Sequence, residues 1–214
     1  MAIRTEKVFF DGEQGPIECA IDWPDEPIQG WALCLHPHPL YEGANTNKVV
    51  TTISRACNQQ GLVAIRPNFR GVGGSVGEFD HSQGETVDML LLLEQFAQQY
   101  PDIAQQPWVL SGFSFGTAVA VQLYMERQDR HLSLPKQVIL AGPAAWRFLY
   151  RDVQLPENTL LVHGEKDEVV PIQEAYDWLA PMNLPLLVIP AAGHFFHGKL
   201  VLLKKIVQST LEKM

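Results

Sequence analysis

The feature that most constrains this chain is a rhythm of short apolar runs and helical stretches, with Gly or Pro between them. Segments 62–66, 108–111, 137–141, 159–162 and 186–189 are nearly continuous apolar runs, as in strands buried on both faces. Segments 45–59, 85–99, 117–126, 172–179 and 200–211 read as helices, the second through the spacing of Val87, Leu90, Leu91 and Phe96. Ahead of this alternation come strands at 7–10 and 17–23, joined by the turn Asp11-Gly12-Glu13-Gln14-Gly15, and an apolar strand at 31–35. Strand–helix alternation with apolar strands implies an α/β fold, a mostly parallel sheet with helices on both faces. In such sheets the working groups gather on loops at the carboxyl ends of strands. Any candidate motif is therefore judged by whether it follows a strand.

A chain of 214 residues fits one domain spanning 1–214. No repeat, low-complexity tract or linker divides it. The net charge of −8, with no Lys/Arg run beyond pairs such as Lys204-Lys205, argues against a nucleic-acid partner. The longest apolar run, 89–93, is far short of the ~20 residues that span a bilayer. An early Glu6 with no apolar run after it argues against a secretory signal, so a cytoplasmic location is expected. Cys19, Cys34 and Cys57 are odd in number and lack C-x-x-C spacing, so they read as buried free thiols.

Gly112-Phe113-Ser114-Phe115-Gly116 follows an apolar strand and precedes a helix rich in Ala and Val. A strand-to-helix turn this tight strains the central residue, and side chains two positions either side would collide, hence the glycines. The serine oxygen is then held above the sheet beside a helix N-terminus, which favours developing negative charge. Ser114 is the candidate nucleophile. It needs a base, and the base needs an orienting acid. Asp167 follows strand 159–162, in His163-Gly164-Glu165-Lys166-Asp167; Glu165 and Glu168 are its rivals. His194 follows strand 186–189; its rival His197 is expected one turn into the closing helix. His163 starts its loop at the strand end and reads as a structural hydrogen-bonder.

His36-Pro37-His38-Pro39 follows strand 31–35, where a second oxyanion donor belongs. The first is the amide of Phe115. Proline has no N–H, so His38 is the better-placed second donor and Leu40 the fallback. Arg66-Pro67-Asn68-Phe69-Arg70-Gly71-Val72-Gly73-Gly74-Ser75 is glycine-rich, but a dinucleotide fingerprint would need Gly where Val76 stands. It reads as a loop at the rim of the site, with Arg70 pairing an internal carboxylate. Gly193 to Lys199 matches a phosphate loop only until Leu200, where Ser or Thr should bind magnesium.

Together these residues resemble the α/β-hydrolase superfamily, and within it the small capless serine hydrolases related to dienelactone hydrolase-like proteins. The resemblance rests on H-P-H-P-L-Y-x-G, R-x-N-F-R-G-V-G-x-S, G-x-S-x-G, H-G-x-x-D-x-V-V-P and G-x-H-F-F-x-G, in register from His36 to Gly198. It implies an eight-stranded, mostly parallel sheet whose second strand is antiparallel. It also maps a triad onto Ser114, Asp167 and His194. The dienelactone hydrolases carry cysteine at the elbow, so Ser114 departs from their specific reaction. Between Gly142 and Thr159 there is room only for a short helix around 144–150, so no cap domain is expected.

The expected activity is hydrolysis of an ester-type bond, carboxylic ester or thioester, in a small substrate, through an acyl-enzyme and without metal or cofactor. Leu40, Phe69, Trp146 and Phe195 are the candidate substrate contacts, and Phe148 also borders the open site. A monomer or homodimer is expected. Rival readings are a peptidase, amidase or lyase using the same triad, and a binding protein on the same scaffold. A metal hydrolase built on His36-x-His38 lacks further ligands at convincing spacing.

Overall fold

The computed structural model describes residues 4–25 and 27–212. Eight strands form one sheet: β1 (Arg4–Asp11), β2 (Pro16–Trp23), β3 (Gly30–Leu35), β4 (Leu62–Pro67), β5 (Trp108–Phe113), β6 (Gln137–Ala141), β7 (Leu160–Gly164) and β8 (Leu187–Ile189). Their spatial order is β1-β2-β4-β3-β5-β6-β7-β8. β2 runs antiparallel to β1 and β4, and every other pair is parallel. This is the mostly parallel sheet expected from the order of apolar runs, with the eight strands and antiparallel second strand that the resemblance implies. The hairpin supplies the antiparallel edge, and helical crossovers supply the parallel centre.

The helices are α1 (Lys48–Asn58), α2 (Gln83–Gln99), α3 (Pro101–Ala104), α4 (Phe115–Asp129), α5 (Ile172–Leu179) and α6 (Leu200–Leu211). On one face of the sheet, Val49, Val50 and Ile53 of α1 and Leu203 and Val207 of α6 share a core with Ala32, Ala64 and Ile139. On the other, Leu92 and Phe96 of α2 and Val119 and Leu123 of α4 pack on Leu33, Ile65 and Leu110. Alternate residues of one strand thus serve different cores, which is why the strands show no polar–apolar alternation.

Several boundaries differ from the sequence reading. α1 starts at Lys48 because the Asn47 side chain accepts the Val49 amide at 2.9 Å and caps it there. α4 starts at Phe115 because Ser114 is itself the N-cap. The helix expected at 144–150 is only a 3-10 turn, Ala145–Arg147. Its continuation is diverted: Phe148 O accepts from Ser82 Oγ at 2.6 Å, and the Tyr150 amide donates to Gln122 Oε1 at 2.9 Å. Chain from 149 to 157 then runs without helix or strand beside α5, leaving a surface groove of about 1130 Å³ lined by Leu149, Val153, Leu155 and Trp178. No cap stands there, as expected. Short α3, opened by Pro101, has no periodic pattern to announce it.

A buried ion pair and its hydrogen bonds tie four elements. Asp22 of β2 accepts from Arg66 Nε at 2.7 Å and Nη2 at 2.9 Å, from Thr5 Oγ1 at 2.7 Å, and from Ser54 of α1. Burial pushes the Asp22 carboxyl up, but the hydrogen bonds from Arg66, Ser54 and Thr5 outweigh it and hold it below the usual carboxylate range. Cys19, Cys34 and Cys57 are all buried and unbridged.

Candidate active site

Ser114 has φ 54° and ψ −119°, a backbone conformation costly for any side chain. Its neighbours leave it no alternative. A Cβ on Gly112 would sit 2.3 Å from Gly116 O, and one on Gly116 would sit 2.6 Å from His36 O. The Ser114 amide donates to Ala141 O at 3.0 Å, and Ser114 O accepts from the Thr117 amide at 2.9 Å and from Thr117 Oγ1 at 2.5 Å. The elbow is therefore wedged between β3, β6 and its own helix.

Ser114 Oγ lies 2.9 Å from His194 Nε2, across 80 residues of sequence. His194 Nδ1 lies 2.7 Å from Asp167 Oδ2. All three side chains are buried. The carboxylate accepts a hydrogen bond from Nδ1–H and so keeps the proton on that nitrogen, which leaves the Nε2 lone pair facing the serine hydroxyl. Asp167 Oδ1 accepts the amides of Val169 at 2.9 Å and Val170 at 2.7 Å. Burial raises the Asp167 carboxyl, but the hydrogen bond and charge of His194 and the Val170 amide outweigh it, so Asp167 sits below its usual value and is ionised at neutral pH. The loop that aims His194 is bracketed by residues at positive φ, Ala191 at 55° and Phe196 at 52°.

The rivals lie elsewhere. Glu165 is exposed, and its carboxylate accepts the Ala191 amide at 2.8 Å. Glu168 is exposed beside Gly193. His197 is exposed, stacked on Phe195 at 5.9 Å, and precedes α6 instead of lying within it as expected. The buried His163 sits behind Asp167: its Nε2 is 2.9 Å from Val170 O and 3.4 Å from Asp167 Oδ2.

Phe115 is the first residue of α4, so helix geometry leaves its amide without an internal acceptor. The Leu40 amide donates to His38 Nδ1 at 3.2 Å and is thereby occupied, which leaves the backbone of His38 as the donor candidate in this loop. His36 has a role that its spacing did not announce. Its Nδ1 donates to Pro37 O at 2.6 Å and its Nε2 accepts the Phe69 amide at 2.8 Å, lacing the loop after β3 to the loop after β4. Burial pushes its pKa down to about 3, so it stays neutral and holds both bonds.

The candidate substrate contacts divide. Leu40 is 67% and Phe195 38% exposed, and the Phe195 ring meets His194 edge-on at 5.1 Å. Phe69 is fully buried, edge-on to Phe115 at 5.5 Å, so it packs behind the site and forms no open wall. An aromatic beside a motif reads alike whether it faces inward or outward. Trp146 is half-buried and held toward α5: its Nε1 donates to Glu174 Oε2 at 3.0 Å and its ring lies 5.4 Å from Trp178. Sequence reasoning missed Tyr41 and Phe79, whose rings gather on His38 at 4.8 and 4.6 Å. Phe79 belongs to no motif, and nothing local marks it. Arg70 pairs internally as expected, with Asp88 Oδ2 at 2.9 Å and Glu13 Oε2 at 3.2 Å. Its glycine-rich loop is fastened to β2: the Glu18 amide donates to Ser75 Oγ, and the Val76 amide to Pro16 O, both at 2.9 Å. Among the described residues, no group of three or more His, Cys, Asp or Glu side chains could hold a metal ion, and no helix is long and apolar enough to cross a membrane.

No protein-family profile matches the chain. An uncharacterized protein of Rickettsia prowazekii is 34% identical over 202 residues, covering 90% of this chain and 83% of that protein. An α/β serine hydrolase without lid from Xanthomonas campestris superposes with TM-score 0.86 at 33% identity, covering 100% of this chain and 96% of that one. An α/β serine hydrolase homologue from Coxiella burnetii superposes with TM-score 0.83 at 31% identity, covering 99% of both chains. Fold, near-complete coverage and identity above the level of shared architecture agree, and the chain belongs to the lidless α/β serine hydrolases.

Proposed function

We propose that this protein hydrolyses an ester-type bond, carboxylic ester or thioester, of a small substrate through an acyl-enzyme on Ser114. The observation that carries the reading is the unbroken relay from Ser114 Oγ to His194 Nε2 at 2.9 Å and from His194 Nδ1 to Asp167 Oδ2 at 2.7 Å. His194 takes the hydroxyl proton as Ser114 Oγ attacks the carbonyl carbon. Asp167 holds the imidazole tautomer and stabilises the imidazolium that forms. The carbonyl oxygen becomes an oxyanion, received by the amides of Phe115 and His38 at the N-terminus of α4. One such donor is worth roughly 10²–10³ in rate. His194 then gives its proton to the leaving group. In the second half, it draws a proton from water as the water oxygen attacks the acyl carbon; the acyl–Oγ bond then breaks, His194 returns the proton to Ser114 Oγ, and the acid leaves. Every step uses groups of this chain and water.

A fluorophosphonate probe tests the reading directly. Labelling of the wild type, lost in Ser114→Ala, is the expected outcome; labelling retained in that variant sinks it. A panel of esters, thioesters and amides against the same pair then separates esterase from amidase use of one triad.

A further inference from the structure

The site has two aromatic sides that share no ring. Around His194 stand Phe113 at 5.0 Å and Phe195 at 5.1 Å. Around His38 stand Phe79 at 4.6 Å, Tyr41 at 4.8 Å, Phe115 at 5.1 Å and Phe148 at 5.4 Å. Phe115 is buried and forms the base of the second set. Phe79, Phe148 and His38 are half-buried, and Tyr41 is 81% exposed, so this set presents a surface to an incoming molecule. That surface adjoins the elbow, since Phe115 follows Ser114 and the loop after β3 abuts Gly116.

The two sides take different halves of an ester. The leaving oxygen must come within hydrogen-bond reach of His194 Nε2, so the alcohol or thiol half lies toward Phe195. The carbonyl oxygen points at the Phe115 and His38 amides. The acyl half is left with the His38 side. This assignment rests on the reading of Ser114, His194 and Asp167 given above.

The chemistry of that side is specific. His38 Nδ1 accepts the Leu40 amide, so the ring proton sits on Nε2. Among the described residues, nothing accepts from that Nε2. Burial and the neighbouring His81 lower the His38 pKa, which keeps the ring neutral with this one outward donor. An alkyl chain laid over these rings would cover the Nε2–H and leave it unpartnered, which is costly. A flat ring gains offset and edge contacts with Tyr41, Phe79 and Phe148, and an oxygen on that ring gives the Nε2–H its acceptor.

We infer that His38, Tyr41, Phe79 and Phe148 form the acyl subsite, and that it selects aryl-type acyl groups bearing an oxygen acceptor over aliphatic ones.

Four ethyl esters with a common leaving group test this: those of hexanoic, cyclohexylacetic, phenylacetic and 4-methoxyphenylacetic acids. The expected kcat/KM for phenylacetate exceeds that for cyclohexylacetate by roughly fivefold, the worth of a good aromatic pair. The methoxy oxygen adds roughly another fivefold, the worth of one hydrogen bond. Phe79→Leu and Tyr41→Leu reduce the phenyl-to-cyclohexyl ratio, and His38→Phe reduces the methoxyphenyl-to-phenyl ratio, which is read as a ratio because the same substitution also disturbs the loop that carries the His38 amide. Tyr41 is so exposed that Tyr41→Leu remains informative even if Phe79→Leu fails to fold. Turnover that is equal or better for the hexanoyl and cyclohexyl esters overturns the subsite while leaving the serine chemistry standing. Calorimetric binding of 4-methoxyphenylacetate to Ser114→Ala, weakened severalfold by adding Tyr41→Leu, supports the subsite independently of turnover. Binding indifferent to Tyr41→Leu overturns it.

Discussion

Asp167 divides its two oxygens between separate tasks. Oδ1 is held by the Val169 and Val170 amides, which fix the carboxylate plane; Oδ2 faces His194 at 2.7 Å. His163 supports this arrangement from behind, with its Nε2 2.9 Å from Val170 O and 3.4 Å from Oδ2. Removing that support frees the turn that aims the acid, and misplacement of a catalytic group by ~1 Å costs about 10²-fold. His163→Leu is therefore expected to lower kcat by roughly ten- to a hundredfold with a smaller change in KM, and His163→Gln, which keeps a donor, to recover part of the loss. Steady-state kinetics on one ester separates these outcomes; a change confined to KM would count against the role. The larger residue-scale effect is Asp167→Asn, which would leave His194 in the wrong tautomer and lower kcat by about 10⁴, read on the same ester.

Elements impose their own tests. The turn joining β5 to α4 tolerates no side chain at Gly112, where the first obstacle to a Cβ is backbone, Gly116 O at 2.3 Å. Gly112→Ala is expected to displace Ser114, abolish ester turnover and cost about 1–3 kcal/mol of stability, as overpacking does, measurable by urea unfolding. The Asp22–Arg66 pair binds β2 to β4, with α1 held through Ser54. Asp22→Asn leaves a buried guanidinium without its counter-charge and is expected to cost about 3–5 kcal/mol near pH 7. The folded-state pKa of Asp22 is depressed, so its stabilisation is present above the unfolded carboxyl value of about 3.9 and is lost as pH falls below it. Unfolding curves of wild type and Asp22→Asn should therefore draw together on going from pH 7 to pH 3. The strands and the elbow were legible in the sequence because apolar runs and paired glycines act locally. Ser114, Asp167 and His194 were legible as types in an order after strands, but their meeting depends on the sheet. The segment 144–150 was not legible, because Ser82 and Gln122, distant in sequence, take the groups its helix would have used. Nor was the burial of Phe69, which depends on how the loop after β4 turns against Phe115.

Across the whole molecule, the same sheet that aligns the site also closes off its thiols. Cys19 lies in β2, Cys34 in β3 and Cys57 in α1, all buried and unpaired, and burial pushes the Cys19 thiol far up. A thiol reagent needs access as well as thiolate, and burial denies it access to all three in the native protein. The consequence is a built-in clock for opening. Cys19 sits on the antiparallel margin of the sheet, paired with Val8, whereas Cys34 and Cys57 lie in the core shared by α1 and α6. Residue-resolved modification by a slow alkylating reagent would time the peeling of the hairpin separately from the parting of α1 from the central strands. Equal rates at all three sites would mean that the sheet opens as one body, and an earlier Cys19 would mean that it frays from that margin first.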